Sequence, residues 1–132
     1  MDGTTLQHYA RDRAGELPHT TMGYPFGPDH EVYKIRGKVF MLLTDVTGEP
    51  IVTLKSSPEE ATALRDAYEE ISPGYHMNKR HWITVSPGKA LDKELINDLV
   101  TESYLLVIEK NLPQYQHPVD PRTFGQEHSP SA

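Results

Sequence analysis

Eight residues, YHMNKRHW from Tyr75 to Trp82, gather two imidazoles, two cations and two large aromatic rings in a chain whose formal net charge is -6. Lys79 and Arg80 are the donors that phosphate or carboxylate oxygens accept from, and an exposed Trp82 would stack on a base or fill a partner's pocket. A second basic stretch precedes them. Residues 31–40 hold Lys34, Arg36 and Lys38 against Glu31, a local +2, residues 75–82 add another +2, and everything else carries -10. If the fold joins the two stretches, one face is basic on an otherwise acidic body.

The other chemistries are poorly supplied. There is no cysteine, which excludes disulfides, thiolate metal sites and thiol nucleophiles. His76 and His81 flank the tip of the segment, His30 opens a strand and His117 lies near the C-terminus, and no pair has the short fixed spacing of a zinc site. Asp2, Asp12 and Glu16 are too scattered for a carboxylate row that would hold iron. Neither a nucleophile elbow, a phosphate-binding glycine loop nor an HExxH helix is present. The expectation is therefore a protein that is not an enzyme and needs no metal and no cofactor.

The elements that must position these residues are legible in outline. The chain has 132 residues, enough for one domain with one core. No apolar run reaches the roughly 18 residues of a membrane span, and MDGTTLQHYARDR lacks a leader's apolar stretch, so a cytoplasmic location is expected. Residues 4–14 predict a short helix with Leu6, Tyr9 and Ala10 on one side. Gly15 to Asp29, rich in Pro and Gly, predicts a long connection without a core strand. EVYKI and KVFMLLT predict a hairpin across Arg36-Gly37, and PIVTLKS follows after DVTG as a third antiparallel strand.

Ser57, Pro58 and Glu60 predict a capping box, opening an amphipathic helix with Ala61, Leu64, Tyr68 and Ile71 on one face and ending at Pro73-Gly74. GYHM and HWITVS are expected to pair across NKR, with Ile83 and Val85 on one face and Trp82 and Thr84 on the other. Asp92 caps a last helix whose Leu95, Ile96, Leu99, Val100, Leu106 and Val107 form an apolar stripe, with Ser103 as a small residue that lets it approach the sheet. Phe40, Leu42, Leu64, Ile83, Val85, Leu99 and Leu106 are the expected core. The domain is read as residues 1–112, and residues 113–132 as an irregular tail. The sum is an α+β fold, a two-layer sandwich with helices on one face of an antiparallel sheet.

Four stretches, GYPFGP (23–28), YKIRGKVFMLL (33–43), SPGYHMNKRHWITV (72–85) and ESYLLV (102–107), resemble the small bacterial MmcQ/YjbR family over about residues 6–112. The resemblance implies a sandwich similar to the frataxin-like CyaY fold, and DNA binding through two hairpin wings. On that reading Lys34, Arg36, Lys38, Tyr75, His76, Asn78, Lys79, Arg80, His81 and Trp82 form the binding face. A protein partner, or a small ligand, taken up without a nucleic-acid role is the other reading, because an exposed Trp ringed by Arg and Lys also suits a protein interface.

Overall fold

The computed structural model describes residues 1–75 and 77–125. Its order is α1 (Gly3–Glu16), β1 (Thr20–Gly23), β2 (His30–Ile35), β3 (Lys38–Thr44), β4 (Ile51–Lys55), α2 (Pro58–Ala67), β5 (Ile71–Pro73), β6 (Trp82–Val85) and α3 (Lys93–Asn111). The strands form one antiparallel sheet in the order β1-β2-β3-β4-β6-β5, with the three helices on one face. The expected sandwich is thus the observed one, with six strands. No helix among the described residues is long and apolar enough to cross a membrane.

Each helix starts where a side chain accepts an otherwise orphaned amide. Asp2 Oδ1 accepts from Thr5 N–H at 2.7 Å, a bond that holds its carboxyl below the ordinary range, and Asp92 Oδ1 accepts from Leu95 N–H at 2.8 Å. At α2 only half of the expected capping box forms: Glu60 N–H donates to Ser57 Oγ at 3.3 Å, and no bond from the Glu60 carboxylate back to Ser57 is present among the described residues. The helix also ends early, at Ala67, so Ile71 and Pro73 belong to β5 rather than to α2 and its terminal turn.

Strand alternation divides the sheet cleanly. Tyr33, Met41, Leu43, Val52, Leu54, Ile83, Val85 and Ile71 share the helix side, where they join Leu6, Ala10 and Ala14 of α1 and Ile96, Val100, Tyr104, Val107 and Ile108 of α3. A bulge puts one extra residue, Phe40, into β3 between the partners of Tyr33 and Lys34, so Phe40 and Met41 both enter this core. Phe40 and Tyr104 meet edge to face at 5.6 Å, and the Tyr104 hydroxyl donates to Pro18 C=O at 2.7 Å. Of the expected core, Phe40, Leu64, Ile83 and Val85 are buried, whereas Leu42, Leu99 and Leu106 are only half-buried. Leu42 lies on the outer face, and the helix side of α3 is centred on Val100 and Tyr104 instead.

The bulge interrupts the β2–β3 register at Phe40, the β3–β4 ladder ends next to it at Met41 and Leu54, and α3 supplies the bonds that the next pair of residues lacks. Ser103, fully buried, donates its hydroxyl to Phe40 C=O at 2.6 Å and accepts from Lys55 N–H at 2.8 Å. Its role is to satisfy two backbone groups, beyond being small. Gln7 does the like at the other end, donating from Nε2 to Thr44 C=O and Ile51 C=O, both at 3.1 Å.

Two further segments differ from expectation. The connection 15–29 contains the edge strand β1, admitted because a strand with one free edge and exposed residues needs no apolar alternation. Residues 113–125 carry one 3-10 turn, Gln114–Gln116, and lay Val119 and Phe124 against the core, with the Phe124 ring 6.2 Å from that of Tyr104.

Candidate functional site

The antiparallel order places the β2–β3 turn, the end of β4 and the β5–β6 connection at one end of the sheet, because Ile35, Lys38, Lys55, Pro73 and Trp82 all terminate or begin their strands there. This juxtaposition brings Lys34, Arg36, Lys38, Lys55, Lys79 and Arg80 together, six of the chain's 13 Lys and Arg. Residues 32–44, 50–58 and 71–91, which build this end, contain no Asp or Glu. β3 and β6 are two strand spacings apart, about 10 Å at 4.8 Å each.

The first turn is tight. Ile35 pairs with Lys38 across two residues of positive φ, Arg36 at 47° and Gly37 at 83°, the arrangement whose twist matches that of the flanking strands. Gly37 accepts this freely, whereas for Arg36 the left-handed region costs about 1–2 kcal/mol. Among the described residues the other non-glycine at positive φ is His19, at 60°, whose neighbour Thr20 pairs with Ile35 at the same end. Lys34 stands half-buried on the outer face, while Arg36 lies in the turn and its charge reaches the Tyr104 hydroxyl on the helix side. Alternation along a continuous strand would put Lys34 and Arg36 on one face, but the strand ends at Ile35 and the two do not share it. Lys38 is exposed beside Ile35 on the helix side.

The second connection is longer than the expected hairpin. β6 pairs with Ile71–Pro73 rather than with the expected GYHM, and Gly74, Tyr75 and residues 77–81 lie in the connection between them. Gly74 N–H donates to Trp82 C=O at 2.9 Å, and a Cβ at Gly74 would lie 2.5 Å from Trp82 Cβ, so only glycine lets the chain pass. Tyr75 N–H donates to Thr84 Oγ1 at 2.8 Å, and that hydroxyl shares a hydrogen bond with Thr53 Oγ1 at 3.3 Å. Asn78 folds the tip: its Oδ1 accepts from Arg80 N–H at 2.9 Å and its C=O from His81 N–H at 3.2 Å. His81 C=O accepts from Ser56 N–H at 2.8 Å, tying the loop to the end of β4. Lys79, Arg80 and His81 are exposed; His76 lies outside the described residues.

Trp82 occupies the face opposite Ile83 and Val85 as expected, but only 8% of it is exposed. The Lys55 ammonium lies 5.5 Å from its ring centroid, and burial lowers the Lys55 pKa. Trp82 therefore packs this end of the sheet and presents no ring for stacking. Lys55 and His19 were not singled out in the sequence. The readable signal for Lys55 was its place as the last strand residue before the Ser57 cap, whereas nothing local marks His19.

The cations of this arrangement donate and do not accept: they are ammonium and guanidinium groups, with no carboxylate in the segments that carry them. Among the described residues no group of three His, Asp or Glu side chains is placed to hold a metal ion.

Comparison with known proteins agrees with this architecture. The chain is 43% identical over 109 residues to the uncharacterized protein YbdF of Escherichia coli O157:H7, covering 83% of this chain and 89% of that protein. It is 38% identical over 71 residues to YjbR of Escherichia coli strain K12, covering 54% of this chain and 60% of that one. Among solved structures, the DUF419-domain protein DR2400 of Deinococcus radiodurans superposes with a TM-score of 0.74 at 33% identity over 80% of each chain. A Pseudomonas syringae protein superposes at 0.64 and 30% identity, over 80% of this chain and 98% of that one. The YjbR family model matches residues 15–106, which include both turns and most of α3, and the chain belongs to the YjbR family.

Proposed function

We propose that this chain is a non-enzymatic recognition module that grips the phosphate backbone of duplex DNA with the basic end of its sheet. One observation carries the reading: two separate turns and their flanking strand ends lie at the same end and carry Lys34, Arg36, Lys38, Lys79 and Arg80 in segments free of Asp and Glu. Their separation of about 10 Å is close to the roughly 12 Å width of the major groove, so each turn can meet a different phosphate strand. This also fits the two-winged, frataxin-like arrangement that the family resemblance implies. The strained Arg36 supports it, since a residue kept at positive φ against its preference is a mark of function. The acidic remainder of the chain repels the duplex and leaves this end as the approach. Contacts are to phosphate, so sequence preference is weak.

Titration of a fluorescent duplex at two or more salt concentrations tests this. With three to five phosphate contacts, log K falls against log salt with a slope of about -3 to -4. Lys79→Ala with Arg80→Ala lowers that slope by about two units and weakens all sequences alike. Flat titrations with the parent at physiological salt sink the proposal. A protein captured in a nuclease-resistant complex, lost on the same double substitution, would assign this end to a protein partner instead.

A further inference from the structure

The helix layer carries a second surface of opposite sign. Between α2 and α3, beside the ends of β4 and β6, lies a cleft of about 460 Å³. It exists because α3 has two apolar stripes and the fold covers one. Ile96, Val100, Tyr104, Val107 and Ile108 are buried against the sheet and α1, while Leu95, Leu99 and Leu106 are turned sideways and half-buried. α2 ends at Ala67, and with Leu64 and Ile83 it forms the far wall without closing the gap.

The rim is acidic. Glu60 of α2 faces Asp98 and Glu102 of α3, which are one helical turn apart. None of the ion pairs among the described residues involves these three carboxylates. The cleft's one cation, Lys55, already has its ammonium over the Trp82 ring. A wet leucine stripe fenced by unpaired carboxylates has a defined complement: apolar side chains flanked by cations.

We propose that this cleft docks a basic amphipathic segment of a partner protein, its apolar side chains seated among Leu64, Leu95, Leu99 and Leu106 and its Lys or Arg side chains meeting Glu60, Asp98 and Glu102. A nucleic acid is repelled by the rim. A small amine would meet a carboxylate but leave the leucines in water, and an acidic segment would be repelled. The seat lies on charge of the opposite sign from the DNA-gripping end, so the two readings stand or fall separately.

The test uses the full chain and a fluorescein-labelled peptide with Leu and Lys at helical spacing. A control peptide carries Ser in place of each Leu. The parent binds the first peptide and not the second. The variant Glu60→Gln/Asp98→Asn/Glu102→Gln, whose changes lie on exposed carboxylates, binds about tenfold or more weakly with unchanged melting. The variant Glu59→Gln/Asp66→Asn/Glu69→Gln removes the same charge from outside the cleft and keeps parental affinity. Amide resonances of Leu64, Leu95, Leu99 and Leu106 shift on binding. Equal losses in both triple variants, shifts mapping elsewhere, or no binding by the parent would overturn the proposal.

Discussion

Replacing Ser103 with Ala separates two accounts of why a small residue faces the sheet. If smallness alone matters, alanine is as good, and a buried hydroxyl removed should leave stability unchanged or raised. The structure says otherwise. The hydroxyl donates to the buried Phe40 carbonyl at 2.6 Å and accepts from the Lys55 amide at 2.8 Å, just past the end of the β3–β4 ladder and at the residue that bulges out of the β2–β3 register. Alanine nearly conserves volume, so no cavity term enters, but it orphans one buried acceptor and one half-buried donor. An unsatisfied backbone group costs about 1–3 kcal/mol, with the half-buried amide at the lower end, so the substitution costs about 2–4 kcal/mol in all. Urea denaturation, with the slope checked to be unchanged, measures it, and exchange of the Lys55 amide should accelerate in the variant. A difference from the parent below about 0.5 kcal/mol, within the range of an ordinary surface change, would refute the bridging role.

Trp82→Ala is expected to lower stability by about 3–5 kcal/mol, because the ring is buried beneath Lys55; a change within about 0.5 kcal/mol would show the ring to be wet and available for contact. Gly74→Ala forces a Cβ to within 2.5 Å of Trp82 Cβ, so the same measurement should find a loss of about 1–3 kcal/mol where an open loop glycine would show little. Burial holds the Tyr33 and Tyr104 hydroxyls protonated up to about 12, above their ordinary value of 10. Between those values the unfolded chain binds fewer protons than the folded one, so this contribution is complete below pH 10 and is lost as pH rises towards 12. Thermal midpoints should therefore fall through that window, and Tyr104→Phe should flatten the fall; a slope identical to the parent's would count against the burial of that hydroxyl.

The sequence by itself determined the elements whose signals are local. Arg36-Gly37 between two alternating runs makes a tight hairpin because its second residue, Gly37, takes positive φ without steric cost, and Ser57 and Asp92 open helices because their side chains accept amides that the helix leaves free. From those elements and their short antiparallel links the two-layer sandwich followed. Tertiary contacts decided what local signals cannot encode. Whether Ile71 ends a helix or starts a strand depends on β6 lying alongside to pair with it. A bulge at Phe40 leaves no mark in composition, and it appears only as two adjacent side chains both entering the core. Trp82 lies on the face that alternation predicts, yet its burial depends on neighbours brought in by the fold, among them Lys55, distant in sequence and adjacent across the ladder. The basic stretches at 31–40 and 75–82 are visible as charge, but that they share one end of the molecule is a property of the strand order β2-β3-β4-β6, which brings the 43-residue separation of Arg36 and Lys79 down to two strand spacings.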